Sequence, residues 1–126
     1  MDLFTCTLIL RVGVPILNSK IPVIGIVEGS MCMSAGFYIL SACSHRIVSK
    51  LSNLMYHQLS AASEPKSLHE MKVTSDHYNN MQNALDEMLV KRTKIPMEKL
   101  KEVRNSNIDW YLSISELELI ADEIID

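Results

Sequence analysis

Basic charge forms no run in this sequence. Its 12 Lys and Arg stand against 15 Asp and Glu, giving a net charge of −3 and a pI of about 5.8. The electrostatic footprint of a nucleic-acid binder is missing, and no nucleic-acid partner is expected. Cysteine is scarce as well. Cys6, Cys32 and Cys43 are odd in number and form no CxxC pair, so they read as reduced residues of an intracellular protein. There is no HExxH and no Asp-rich loop, and neither a metal nor another cofactor is expected. A long unbroken apolar run is also absent. The opening "MDLFTCTLILRVGVPIL" has Asp2 where a signal peptide carries Lys or Arg, and Arg11 interrupts it. That argues against a signal peptide or a membrane span, and for a cytoplasmic protein with no membrane partner. No internal repeat, low-complexity tract or linker divides the chain. With 126 residues, 48% hydrophobic and 21% charged, the expectation is a single domain over 1–126 with a modest core.

What is present alternates in type. "IPVIGIVEG" (21–29) is a continuous β-branched run closed by Gly, the pattern of a strand buried on both faces. Residues 34–43 are small and apolar and read as a buried helix. "HRIVSK" and "LMYHQL" have the length of two further strands. "SAASEPKS", with Pro65, reads as a loop. Leu68, Met71, His77 or Tyr78, Met81, Leu85, Met88 and Leu89 recur at helical spacing and predict a long helix over 66–93. Pro96 stops it and suits the first turn of the next helix, "PMEKLKEV". "RNSNID" is a polar break, and "WYLS" is extended. Ser113 and Glu116 form a Ser-x-x-Glu capping pattern at the head of "SISELELIADEII". This order of elements indicates an α/β layered fold.

Serine is a weak nucleophile unless a base takes its proton and a third group orients that base. Ser34 in "CMSAGF" lies where a strand and a short turn give way to a helix. The unpaired amides there and the positive end of the dipole favour a developing oxyanion. Ser30, in the turn, and Ser41, two turns into the helix, lack that placing. Taken singly, each candidate has a plainer reading. Ser34 is a helix cap, His57 in "NLMYHQL" is a core histidine, and Asp109 is a turn residue before "WY". His45, His69 and His77 have charged neighbours and read as solvated.

Together these residues carry more. The chain order Ser34, His57, Asp109 resembles the proteolytic subunit of the Clp protease (ClpP), a family of serine peptidases. "CMSAGFYILSAC" is similar to that family's nucleophile turn and helix. "MYHQ" (55–58) matches the Met-x-His-Gln strand that carries its base, and is the most specific motif in the chain. "DWYLSISELEL" is similar to the family's acid, short aromatic strand and Glu-bearing helix. The resemblance covers about residues 21–126, although "PVIGIVEG…SAG" is shared in style with signal-peptide peptidases and crotonases. It implies a ClpP/crotonase-like spiral of repeated β-β-α units with a protruding handle helix at about 66–93. It also implies Ser34 as nucleophile, His57 as base, Asp109 as the orienting acid and the Ala35 amide as an oxyanion donor. The implied partners are further copies of the chain in a ring, an AAA+ unfoldase, and a peptide or unfolded-protein substrate.

The chain departs from the family in places. Residues 1–20 hold no Asn-Ser-Pro-Gly-Gly segment, which supplies the second oxyanion donor in the family. "LSAASEPKS" lacks the usual glycines after the base, and "ELELIADEI" lacks the Gly before the last strand. The expectation is a divergent member without the family's N-terminal portion, poorly active alone. Two alternatives stand beside it. One is a crotonase-type acyl-CoA enzyme, against which "MYHQ" and the Asp109 context count. The other is a catalytically inactive ClpP-like structural subunit.

Overall fold

The computed structural model describes residues 9–59 and 67–126. A π-helical turn, Ile9–Gly13, leads into the short helix α1 (Val14–Leu17). Two β-β-α passages follow. The first is β1 (Ile24–Val27), β2 (Met31–Met33) and α2 (Ala35–Ala42). The second is β3 (His45–Ser49), β4 (Asn53–Tyr56) and the long helix α3 (Leu68–Arg92). Then come α4 (Met97–Ser106), β5 (Trp110–Tyr111), a 3-10 helix (Ile114–Leu119) and β6 (Glu123–Ile125).

The strands sort by their place in the repeat. The first strands of the two passages, β1 and β3, join β6 in an all-parallel sheet of order β1-β3-β6. The second strands, β2 and β4, pair in parallel and take β5 antiparallel, giving order β2-β4-β5. A chain that visits one sheet, then the other, then returns through a helix traces the expected spiral of β-β-α units. Its corners are tight. Gly29 turns between β1 and β2 at φ 61°, a conformation that costs glycine little. Ser52, in the matching corner of the next passage, braces it. Its Oγ donates to Val27 O at 3.0 Å and accepts from Gly29 N at 3.1 Å.

Several readings of the sequence need adjustment. β1 is not buried on both faces, because among the described residues only one of its faces is covered. Gly25 and Val27 face α2, where a Cβ at Gly25 would lie 2.8 Å from Leu40 Cδ1 and 2.9 Å from Cys43 Sγ. Ile24 and Ile26, pointing the other way, are 58% and 56% exposed. The long helix starts at Leu68 behind an N-cap, Ser67, whose Oγ accepts from Glu70 N. The predicted start at Lys66 and most of the "SAASEPKS" loop lie outside the described residues. Pro96 is the N-cap residue of α4, one place before its first turn. α4 also absorbs Arg104–Ser106 and ends on Asn107 in the left-handed region at φ 58°, which Asn tolerates. His45 is not simply solvated, since its Nε2 pairs with Glu123 across β3 and β6 at 2.6 Å. The Ser113–Glu116 capping pattern is present, with Ser113 N donating to Glu116 Oε1 at 3.0 Å.

α3 has 25 residues, so it is roughly 37 Å long at 1.5 Å per residue. Its first half stands away from the body, and Leu68, Met71 and Val73 are all exposed. Only the second half meets the core, through Gln82, Asp86 and Leu89. This is the protruding handle helix that the sequence led us to expect. Among the described residues no helix is long and apolar enough to cross a membrane.

Arg46 ties the far ends of these helices together. It is buried in the core and donates from Nη1 to Ser41 O and Cys43 O at 3.0 and 3.1 Å. Nη2 donates to Arg92 O at 2.8 Å, and Nε to Ile120 O at 2.6 Å. One guanidinium thus serves orphan carbonyls at the ends of α2, α3 and the 3-10 helix, where a cation also meets the negative ends of the dipoles. Asp122 completes the joint, its Oδ2 accepting from Arg46 N at 2.8 Å. Replacing Arg46 with Met keeps the aliphatic stem and removes the guanidinium from all four carbonyls, of which Cys43 O keeps a second donor, Arg92 Nη2 at 3.3 Å. The expected cost is about 3 kcal/mol, read as a fall in the urea midpoint at unchanged m-value.

Candidate active site

The second sheet brings the three candidate residues to one edge. β4 is its central strand. On one side Met33 pairs with Met55 in parallel register, so β2 ends one residue before β4 does. Ser34 is the next residue after β2, and its amide donates to Met55 O at 3.3 Å. On the other side Tyr56 pairs with Trp110 in antiparallel register, so β5 begins where β4 ends. Carrying that register one residue further sets His57 opposite Asp109. Strand order therefore lays Ser34, His57 and Asp109 along one sheet edge in their chain order, with the histidine in the middle.

The backbone at Ser34 is unusual. It sits at φ 55° and ψ −117° as the N-cap residue of α2, with no capping hydrogen bond from its side chain. A residue with a Cβ pays about 1–3 kcal/mol for such a conformation. The cap reading of Ser34 is thereby set aside, because Oγ is not used to close the helix. The serine carbonyl accepts from Phe37 N and Tyr38 N at 3.1 and 3.4 Å. The amides of Ala35 and Gly36 belong to the first turn, whose N–H groups have no intrahelical acceptor. Ser34 thus stands half-buried at a sharp strand-to-helix turn, directly before the first amides of α2. Cys32, two residues earlier, offers no rival nucleophile, since burial pushes its thiol up to about 11 and keeps it protonated near neutral pH.

His57 Nδ1 donates to Asp109 Oδ1 at 2.5 Å. The imidazole is 26% exposed and the carboxylate 43%, so the pair faces outward at the sheet edge. Its neighbours hold it from both sides. Trp110 is buried directly after Asp109, and Gln58, directly after His57, donates from Nε2 to Asn107 Oδ1 at 2.5 Å. A carboxylate on Nδ1 fixes the tautomer and leaves Nε2 to accept a proton.

Beneath this edge lies a polar cluster that the sequence did not reveal. Phe37, Tyr38 and Tyr56 form a triangle of edge-to-face rings with centroids 6.2–6.3 Å apart. Both phenols reach α3. Gln82 Nε2 donates toward Tyr38 Oη, Tyr56 Oη and Asp86 Oδ1 at 3.1, 3.2 and 2.9 Å. Tyr56 Oη donates to Asp86 Oδ1 at 2.8 Å, and Arg104 Nη1 to Asp86 Oδ2 at 3.2 Å. Burial pushes the Asp86 carboxyl above its usual range, against its hydrogen bonds and the Arg104 charge, and burial likewise raises both phenols so that they remain neutral donors. The one available sequence signal was two polar residues, Gln82 and Asp86, four apart on the helical face that ends in Leu89. Among the described residues no group of three or more His, Cys, Asp or Glu is placed to hold a metal ion.

In comparison with protein families, residues 15–125 match the family described as Clp protease. No curated protein matches the chain. The matched span takes in both sheets, α2, α3 and all three residues of the sheet edge.

The backbone at Ser34 makes a prediction about stability. Glycine occupies this conformation at little cost, whereas alanine keeps the Cβ that resists it. Ser34→Gly should therefore be more stable than Ser34→Ala by about 1 kcal/mol, measured by thermal and urea unfolding of the two variants side by side.

Proposed function

The chain belongs to the Clp protease family, and from that membership we propose that it is a serine endopeptidase subunit. In this reading Ser34 is the nucleophile, His57 the general base and Asp109 the group that orients it. His57 Nε2 takes the Ser34 proton as Oγ attacks the peptide carbonyl. Asp109, on Nδ1, steadies the imidazolium, and His57 then returns the proton to the departing amine. The tetrahedral oxyanion is met by the Ala35 amide at the head of α2. The observation that carries the reading is the register of β4. It supports a base held between a serine in a strained turn and a carboxylate. A serine off the helix-capping role and a buried, protonated Cys32 favour the hydroxyl over a thiol.

The test is turnover of a fluorogenic peptide by the wild type and single variants. Ser34→Ala and His57→Ala should each abolish it, and Asp109→Asn should lower it by roughly 10²–10⁴ through loss of the oriented base. Turnover that survives Ser34→Ala would overturn the assignment.

We further propose that the subunit works in the cytoplasm as a self-assembled ring fed with unfolded chains by an AAA+ unfoldase. Family membership supports this, as do the apolar side chains that one copy leaves uncovered, Leu68, Met71 and Val73 on the handle and Ile24 and Ile26 on β1. Light scattering after size exclusion at micromolar concentration should give a multiple of the 14.2 kDa chain mass, and a monomer at that concentration would refute self-assembly.

A further inference from the structure

We propose that Gln82 is a positioning residue for His57, holding the exit of β4 so that the imidazole stays opposite Asp109 and beside Ser34. The proposal rests on the triad reading above, and begins from where the strand ladder stops. β4 ends at Tyr56, so the backbone of residues 57–59 needs partners outside the strand. Two of these come from the buried cluster. Tyr38 Oη donates to His57 O at 3.3 Å, and Gln82 Oε1 accepts from Leu59 N at 2.6 Å.

The amide of Gln82 can lie in only one sense. Its Oε1 faces a backbone N–H, and its Nε2 faces two phenol oxygens and the Asp86 carboxylate. A flip would set N–H against N–H at Leu59 and carbonyl oxygen against carboxylate at Asp86, losing both of those bonds. Gln82 is 3% exposed and Asp86 1%, so water cannot replace those partners and an unmade bond carries its full cost. Asp86 is fixed in turn by Tyr56 and by Arg104 on α4. Gln82 thus joins four parts of the site. It bonds Tyr38 on the helix that begins at Ser34, and Tyr56 just before His57. It bonds Leu59 two residues after His57, and through Asp86 and Arg104 it reaches the helix that leads to Asp109. It touches no reacting atom in this account, and acts by fixing where the base stands. A base displaced by about 1 Å can lose roughly 10²-fold in rate.

Gln82→Leu keeps most of the side-chain volume and removes both polar ends. Leu100→Ala, at a fully buried core site on α4, serves as a control that destabilises without removing a hydrogen bond of the clamp. Two readouts are taken well below the melting temperature of each variant. One is the rate of Ser34 labelling by a fluorophosphonate probe. The other is the proton NMR signal of the His57 Nδ1–H shared with Asp109. Gln82→Leu should label roughly 10²-fold more slowly and lose or broaden that signal, while Leu100→Ala keeps both near wild type. Peptide turnover should show the same loss in kcat with KM held. A Gln82→Leu variant with an unshifted, sharp His57 signal would overturn the proposal, whatever its activity. Failure of the wild type to label at Ser34, with the His57 signal still dependent on Gln82, would count against the peptidase reading and uphold the clamp.

Discussion

β4 is hydrogen-bonded on both sides, and its two registers constrain everything at this edge of the molecule. The parallel pairing with β2 delivers Ser34, and the antiparallel pairing with β5 delivers Asp109. Because side chains alternate along a strand, a one-residue slip in either pairing would turn a partner to the opposite face. The register is specified from below. Leu54 and Tyr56 are fully buried, and a one-residue shift would set Asn53, Met55 and His57 in their places, which brings an amide and an imidazole into the core. The antiparallel pairing explains how His57 and Asp109, 52 positions apart in sequence, come within hydrogen-bond reach without a ligand or a disulfide to gather them.

The rest of the structure steadies that edge at two levels. Near it, the cluster of Tyr38, Tyr56, Gln82, Asp86 and Arg104 is fully bonded around one buried carboxylate, and a satisfied network of this kind rigidifies what it touches. Far from it, Arg46 gathers the C-terminal ends of three helices. The helix that starts at Ser34 is therefore pinned at both ends. Its head is bonded to β4 through Ser34 N and Tyr38 Oη, and its tail is bonded to Arg46 and Arg92. A turn that keeps a β-carbon at φ 55° needs such support, since nothing local favours it. The protruding half of α3 takes no part in this support, although its buried half carries the central glutamine.

Much of this was legible in the sequence because the signals were local. The β-branched run at 21–29, the apolar helix after Ser34, the "LMYHQL" strand and the Ser113–Glu116 cap all depend on near neighbours, and each formed near where it was read, although β1 is confined to Ile24–Val27 and β4 stops at Tyr56, before His57. What depended on distant packing was hidden. A β-branched run has the same pattern whether one or both of its faces are covered, so the exposure of Ile24 and Ile26 could not be read from it. Helical spacing of Leu68, Met71 and Leu89 marks a stripe without saying which part meets a core, and only the C-terminal part does. Nothing local marks Gln82 and Asp86 as buried, because the partners that satisfy them, Tyr38, Tyr56 and Arg104, lie 18–44 positions away. His45 likewise found Glu123 only through the return of β6. The candidate triad became legible through its resemblance to a family, while the strain at Ser34 is a backbone fact that no residue type announces.

The central claim is that Ser34, His57 and the Ala35 amide act on one carbonyl, with Asp109 behind the base. The most direct measurement is a crystal structure of the chain after reaction with a peptidyl fluorophosphonate. The account predicts a phosphonyl group bonded to Ser34 Oγ, with its oxygen about 3 Å from the Ala35 amide and His57 still bridging toward Asp109. An adduct on another residue, or a phosphonyl oxygen turned away from the head of α2, would contradict it.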